Sequence, residues 1–201
     1  MTMVNILRLD NVVTMLTDTK ITADGAGNLG NWTKFAPIPH LSAVIATRGP
    51  MKALDLVCRM TVSEARDFAH LRRTFEDFGR LFFNQLRTKE PVGDVDIFVI
   101  GWDDGSQAFT LSTHDKHGAK PFEVVDIPHV LVTPATKGGF VDALQGDGAI
   151  AAMMRLVAEQ ARIEPAVGGR VTAVTVREGG VIVIEPFGQL SDEPLDLAMT
   201  G

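Results

Sequence analysis

MTMVNILRLDNVVTMLTDTKIT, residues 1–22, decides the fold. Met3-Val4-Asn5-Ile6-Leu7 reads as a strand, Asp10-Asn11 as a turn, and Val12-Val13-Thr14-Met15-Leu16 as a second strand that stops at Asp18. A connection this short joins antiparallel neighbours, because a parallel crossover takes a dozen residues or more. Thr2 leads straight into the first strand, with one methionine before it, and a nucleophilic hydroxyl is available there.

Working outward, a third strand is expected near 33–38 and a fourth at Ser42-Ala43-Val44-Ile45-Ala46-Thr47. Gly49-Pro50 opens a helix to about Met60, with proline where its missing N–H costs nothing. Thr61-Val62-Ser63-Glu64 has capping-box spacing and predicts the start of a long helix. Its apolar stripe is Phe68, Leu71, Phe75, Phe78, Phe82 and Leu86, a core face in steps of three and four. After the break at Pro91-Val92-Gly93 come strands at 95–101 and 107–112 around the hairpin Asp103-Asp104-Gly105-Ser106, then strands near 122–126 and 129–133. A helix from about Phe140 to Arg162, with Ile150, Met153, Met154 and Val157 on one face, precedes two last strands, 170–176 and 181–185. This order lacks regular βαβ alternation, so it predicts two antiparallel sheets packed face to face with helices outside. One domain, 1–201, is expected, with 187–201 as an acidic C-terminal tail.

The 201 residues suffice to bury roughly 70% of the unfolded chain's surface without disulfides. A net charge of -6 and a pI near 5.3 argue against a nucleic-acid partner, which selects a clustered basic face. Cys58 lies among Leu56, Val57 and Met60 and reads as a buried thiol. No basic-then-apolar leader and no apolar run of 18 residues is present, so membrane spanning and export are not expected. The expected location is the cytoplasm, or a particle assembled there.

Gly25-Ala26-Gly27-Asn28-Leu29-Gly30 matches the dinucleotide fingerprint by letter, yet Asn31-Trp32-Thr33-Lys34 leads into a strand where the fingerprint opens a helix. A flexible hairpin loop is expected instead, and no cofactor. His114 and His117 flank Asp115 in what reads as a solvated loop, without the further ligands that a zinc site needs. His40 and His129 each follow a proline at a strand start and read as structural, and no metal is expected.

Asp18 lies sixteen residues after Thr2, and Lys34 sixteen after Asp18. On these positions the chain resembles the proteasome-like threonine peptidases, a branch of the N-terminal nucleophile (Ntn) hydrolases that includes the beta-type subunits of the 20S proteasome and related bacterial peptidases. Thr17-Asp18-Thr19-Lys20-Ile21-Thr22 is similar to that family's Ala-Asp-Ser-Arg-Ala-Thr stretch, and Lys34-Phe35-Ala36-Pro37-Ile38 to its lysine-led strand. Val44-Ile45-Ala46-Thr47 corresponds to a strand that ends in Ala-Gly in the family, and Gly168-Gly169-Arg170-Val171 to its closing Gly-Gly strand. The resemblance implies an α+β fold, the four-layer αββα Ntn-hydrolase sandwich of two antiparallel sheets flanked by helices.

It also implies roles. Thr2, freed by loss of Met1, would be the nucleophile of a peptide-bond amidohydrolase. Its α-amine, with an ordinary pKa near 7.7–8.0, would be the base. Lys34 would favour the alkoxide, Asp18 would fix Lys34, and backbone at Thr47 would hold the oxyanion. Glu164 is the nearest match to an acidic helper late in the chain. Val167 stands where the family has a helper serine, and Val132-Thr133-Pro134-Ala135 offers no second one. The implied partners are further copies of the chain, in a ring or larger assembly, and an ATP-driven unfoldase. The alternative expectation is a catalytically silent Ntn-fold structural or assembly subunit, for example of a phage or prophage particle.

Overall fold

Both strands of the opening hairpin form, β1 at Val4–Leu9 and β2 at Val12–Asp18, in an unbroken antiparallel register from Val4↔Thr17 to Leu9↔Val12. The computed structural model describes residues 2–23, 27–87, 94–116, 119–136 and 148–190. The hairpin is the centre of a five-stranded sheet, order β10-β1-β2-β11-β12, with β10 at Val130–Thr133, β11 at Gly169–Arg177 and β12 at Val181–Leu190. A second five-stranded sheet runs β5-β6-β7-β8-β9: Phe35–Ile38, Ala43–Arg48, Asp96–Trp102, Ser106–Ser112 and Val124–Asp126. Every neighbouring pair in both sheets is antiparallel.

Strand alternation sorts the apolar side chains into three layers, since successive residues face opposite sides of a sheet. Val4, Ile6, Val13 and Met15 of the first sheet meet Val44, Ala46, Phe98 and Ile100 of the second. The opposite face of the second sheet, including Ile45, Ile97, Val99 and Leu111, is covered by helices α1, Met51–Glu64, and α2, Phe68–Arg87. Met3, Leu16 and Val171, on the outer face of the first sheet, are covered by α3, Ala149–Ile163. The architecture is thus the four-layer αββα sandwich, helices outside two antiparallel sheets.

Several expected boundaries move. Thr61-Val62-Ser63-Glu64 does not open α2 but closes α1: Thr61 Oγ1 donates to the Val57 carbonyl at 2.8 Å, and the chain turns extended at Ala65. The cap of α2 is Asp67, whose Oδ1 accepts the His70 N–H at 2.6 Å, while His70 Nδ1 accepts the Arg66 N–H at 3.3 Å. The α2 core face is Phe68, Leu71, Phe75 and Phe83, not a stripe through Phe78, which is only half-buried. Gly79 occupies the turn between Phe75 and Phe83, where an added Cβ would stand 3.1 Å from Leu111 Cδ1.

On α3 the buried face is Ala152, Met153, Leu156, Val157 and Gln160, whereas Ile150 and Met154 are 70% and 54% exposed. The expected helix start at Phe140 lies outside the described residues. β12 extends through Gly188 to Leu190, four residues into the stretch expected to be tail. Gly27–Asn31 is not a loop but strand β4, paired with β3 at Lys20–Ala23 as a separate two-stranded ribbon.

Gln160 is fully buried and polar, and it fixes α3 to the first sheet. Asn5 Nδ2 donates to Gln160 Oε1 at 2.7 Å, and Gln160 Nε2 donates to Asn5 Oδ1 at 2.9 Å and to the Pro134 carbonyl at 2.8 Å. Gln160→Leu would leave the Asn5 carboxamide and the Pro134 carbonyl without these partners. It is expected to destabilise the fold by about 1–3 kcal/mol, read by urea unfolding.

Candidate active site

The end of β2 delivers Asp18 to a position with 0% exposure, where three donors from distant parts of the chain converge. Lys34 Nζ donates to Oδ1 at 2.9 Å, the Met3 N–H to the same oxygen at 2.8 Å, and the Gly168 N–H to Oδ2 at 3.1 Å. Burial pushes the Asp18 carboxyl up from its ordinary value, opposed by Lys34 and by the hydrogen bonds it accepts. Burial likewise pushes Lys34 down, opposed by Asp18. Desolvation outweighs attraction for both partners, as it commonly does for buried ion pairs.

Local structure explains how the loop of Gly168 arrives. After α3, the Glu164 carbonyl accepts the Val167 N–H at 2.9 Å and Glu164 Oε1 accepts the Ala166 N–H at 3.2 Å, closing a tight turn. Gly168 then pairs back to β3 through its carbonyl, which accepts the Lys20 N–H at 3.0 Å. Gly169 follows at φ +74, where a Cβ would stand 2.1 Å from Asn31 Oδ1, so this position requires glycine.

Thr2 is 6% exposed and lines a cleft of about 340 Å³, within the usual size for a ligand site. Lys34 and Thr47 line it as well, so three of the five expected residues share one cavity. The β3–β4 ribbon supplies Lys20, Leu29 and the segment to Trp32, and Pro50 and Leu54 come from the start of α1. Leu29 and Trp32 are each 60% exposed, which forms an apolar lip. Asp18 is bonded to Lys34 and is not among the cleft-lining residues. Glu164 is not among the lining residues; its carboxylate serves its own turn.

Thr47 sits at the end of β6, and its N–H donates to the Lys34 carbonyl at 3.4 Å, long for a hydrogen bond. Gly49, two residues on, also lines the cleft at φ +135, and a Cβ there would stand 2.7 Å from the Asp94 carbonyl oxygen. Sequence reading missed Gly49, Lys20, Leu29 and Trp32 as cleft residues. The one signal for them was the strand pattern on either side of the glycine-rich stretch, read there as a loop.

Cys58 is half-buried, and burial followed by Asp55 pushes its thiol up to about 11, well outside the range of a reactive cysteine at neutral pH. His114 lies 3.8 Å from Asp94 and 3.9 Å from Asp96, and His117 is outside the described residues. Gly27–Asn31, as a strand, lacks the strand-to-helix turn of a dinucleotide site. Among the described residues no helix is long and apolar enough to cross a membrane.

No protein-family model and no curated protein matches the chain. Solved structures do. Anbu from Hyphomicrobium sp. strain MC1 superposes with a TM-score of 0.70 at 12% identity, covering 94% of this chain and 88% of that one. Anbu from Yersinia bercovieri, described as an ancestral beta-subunit, gives 0.70 at 8% identity with the same coverage. The helical assembly of the Anbu complex from Pseudomonas aeruginosa gives 0.69 at 11%, over 96% and 88% of the two chains. This corrects the likeness drawn from the sequence. These structural relatives are Anbu, one of them described as an ancestral beta-subunit, and identities this low carry a fold rather than the threonine-peptidase family drawn from the sequence. What the two packed sheets share with these relatives is the proteasome-like Ntn fold.

Proposed function

We propose that the protein is a threonine amidohydrolase that cleaves peptide bonds, with Thr2 as nucleophile once Met1 is removed. The observation that carries this reading is the double use of Asp18. One oxygen holds Lys34 at 2.9 Å and the Met3 N–H at 2.8 Å, so the peptide next to Thr2 and the nearby cation share one buried anchor. Preorganisation of that kind is what a weak hydroxyl nucleophile needs.

In this reading the Thr2 hydroxyl oxygen bonds to the amide carbon while its proton passes to the α-amine. The C–N bond then breaks as that proton moves to the leaving amine, and an ester on Thr2 remains. Water hydrolyses the ester with the amine again as base. The Lys34 ammonium favours the alkoxide and holds down the proton affinity of the amine. The oxyanion would draw the Thr47 N–H from its long bond to the Lys34 carbonyl. Glu164 would act only as a positioning residue, through the turn that brings Gly168 to Asp18. Self-association belongs to the same proposal, since the Pseudomonas aeruginosa Anbu complex is described as a helical assembly. An ATP-driven unfoldase would be its partner.

The Thr47 N–H already engaged by Lys34, and Val167 in place of a helper serine, favour a second reading: a catalytically silent assembly subunit, for instance of a phage particle. Intact mass of untagged protein, before and after treatment with a threonine-acylating β-lactone, separates the two. The hydrolase reading expects a mass short by one methionine and a single adduct mapped to Thr2. A retained Met1, or a trimmed chain that takes no adduct, overturns it in favour of the assembly subunit.

A further inference from the structure

We infer that Arg48 is a positioning residue: its side chain spans the two sheets beside the cleft and holds the backbone of Thr47 at a set distance from Thr2. The inference rests on the hydrolase reading and adds a residue to it. In that reading nucleophile and oxyanion donor belong to different sheets, Thr2 just before β1 of the first and Thr47 on β6 of the second. Their spacing therefore depends on what joins the sheets at this end. Regular pairing of β6 with β5 stops at Phe35↔Ala46. Beyond it, Thr47 and Arg48 keep β7 on one side, and on the other only the long bond from the Thr47 N–H to the Lys34 carbonyl. Alternation places the Arg48 side chain on the same face as Ala46, the face that meets the first sheet.

Two contacts make this side chain a strut. Arg48 Nη1 donates to Thr133 Oγ1 on β10 at 2.7 Å, and Thr133 is the cross-strand partner of Val4, two residues from Thr2. The same Nη1 lies 3.9 Å from Oδ2 of Asp96, the partner of Arg48 on β7. Asp96 is fixed in turn: it is buried, its Oδ1 accepts the Ser112 hydroxyl at 2.8 Å, and its Oδ2 accepts the Lys116 ammonium. A planar guanidinium with several donors suits such a shared task. Arg8 makes a matching link at the opposite end of β1, where Nε donates to the Ser106 carbonyl at 2.8 Å and Nη1 to the Ile127 carbonyl at 3.3 Å. Both arginines tie one sheet to the other. Arg48 alone of the two adjoins a cleft-lining residue, Thr47.

Arg8 therefore supplies the control. Trimmed parent, Arg48→Met, Thr133→Val and Arg8→Met are compared by turnover of N-acetyl-Leu-Leu-Leu coupled to a fluorogenic amine, with rates corrected for the folded fraction from urea unfolding. The same proteins are titrated with N-acetyl-Leu-Leu-leucinal and with N-acetyl-Leu-Leu-Leu amide, whose side chains suit the wall of Leu29, Trp32, Pro50 and Leu54. The Thr2 hydroxyl adds to the aldehyde carbon and its proton passes to the former carbonyl oxygen, so the hemiacetal places an oxygen where the oxyanion forms. Arg48→Met is expected to lower kcat by about a hundredfold with KM little changed, and to cut the aldehyde-over-amide preference in proportion. Thr133→Val, which removes only the acceptor, should move both in the same direction by less. Arg8→Met should lower the urea midpoint and leave kcat and the preference at parent values. If Arg48→Met does not fold, Thr133→Val decides, because it keeps the ion pair with Asp96. A preference undiminished in the Arg48 and Thr133 variants, or an equal loss in Arg8→Met, overturns the role given to Arg48 and leaves the hydrolase reading standing. A parent with neither turnover nor aldehyde preference overturns that reading, and this inference with it.

Discussion

Trimmed protein carrying Thr2→Ala is expected to lose about a thousandfold or more of its amide turnover, to the level of cleavage without enzyme. Alanine retains the α-amine and the strand that follows it, so Asp18, Lys34 and the cleft stay as they are. What disappears is the one oxygen that forms the ester. The loss should fall on kcat with KM little changed, because the cleft walls that hold the acyl chain are untouched. Thr2→Ser restores a hydroxyl and is expected to recover a measurable part of the rate. Single-turnover kinetics on the three proteins, with trimming verified by mass, checks this. Equal turnover in Thr2→Ala and the parent would remove Thr2 from the chemistry altogether.

Lys34→Met should cost on the order of 3 kcal/mol of stability near neutral pH, a melting shift of roughly 6–12 °C for a chain of this size. The cause is the buried carboxylate stripped of its cation, more than the missing hydrogen bond. Asp18 is fully buried, and Lys34 is the ammonium that offsets its desolvation. The pH dependence follows from the shift directions. A carboxyl whose folded pKa lies above its ordinary 3.8 contributes stability that is fully present below that value and lost as pH rises through the folded one. A lysine whose folded pKa lies below 10.5 contributes stability present above 10.5 and lost as pH falls through its folded value. Between the two folded values the pair is ionised and bears its burial cost. Removing Lys34 raises the Asp18 carboxyl further, so the gap between variant and parent should widen as pH rises from about 4 to 8. The double variant Asp18→Asn/Lys34→Met should recover most of the loss, since no buried charge remains. A gap independent of pH would place the cost of Lys34→Met in packing instead.

The sheets were legible because their strands alternate or run continuously apolar between clear turns. Val4 and Ile6 face one layer while Met3 and Leu7 face another, and both sets are hydrophobic in the sequence. The spacing of Thr2, Asp18 and Lys34 was legible too, and two of the three line one cleft with the third bonded to Lys34. Helix details were harder. Thr61 and Glu64 carry capping-box letters, yet the hydroxyl back-bonds within α1, and Asp67 caps α2 with a histidine where the motif has an acid or amide. The α3 face could not be read from apolar residues alone, because its anchor is Gln160, a polar side chain whose partner, Asn5, is 155 residues away. The β3–β4 ribbon escaped because glycine and asparagine signal turns, while strand pairing in this ribbon is decided by Lys20↔Asn31 and its neighbours.

The three donors on Asp18 also set a timetable for synthesis. They come from residues 3, 34 and 168, so the carboxylate gathers its partners only when most of the 201 residues have left the ribosome. Until then Lys34 can pair with Asp18, but nothing closes the far side of the carboxylate, and the first strand lacks β11 beside its partner β2. Contacts across such sequence separations form late and together. On the hydrolase reading proposed above, the Thr2 hydroxyl would therefore lack its completed surroundings on the nascent chain and gain them as folding completes, which would spare the chain and its neighbours a premature nucleophile.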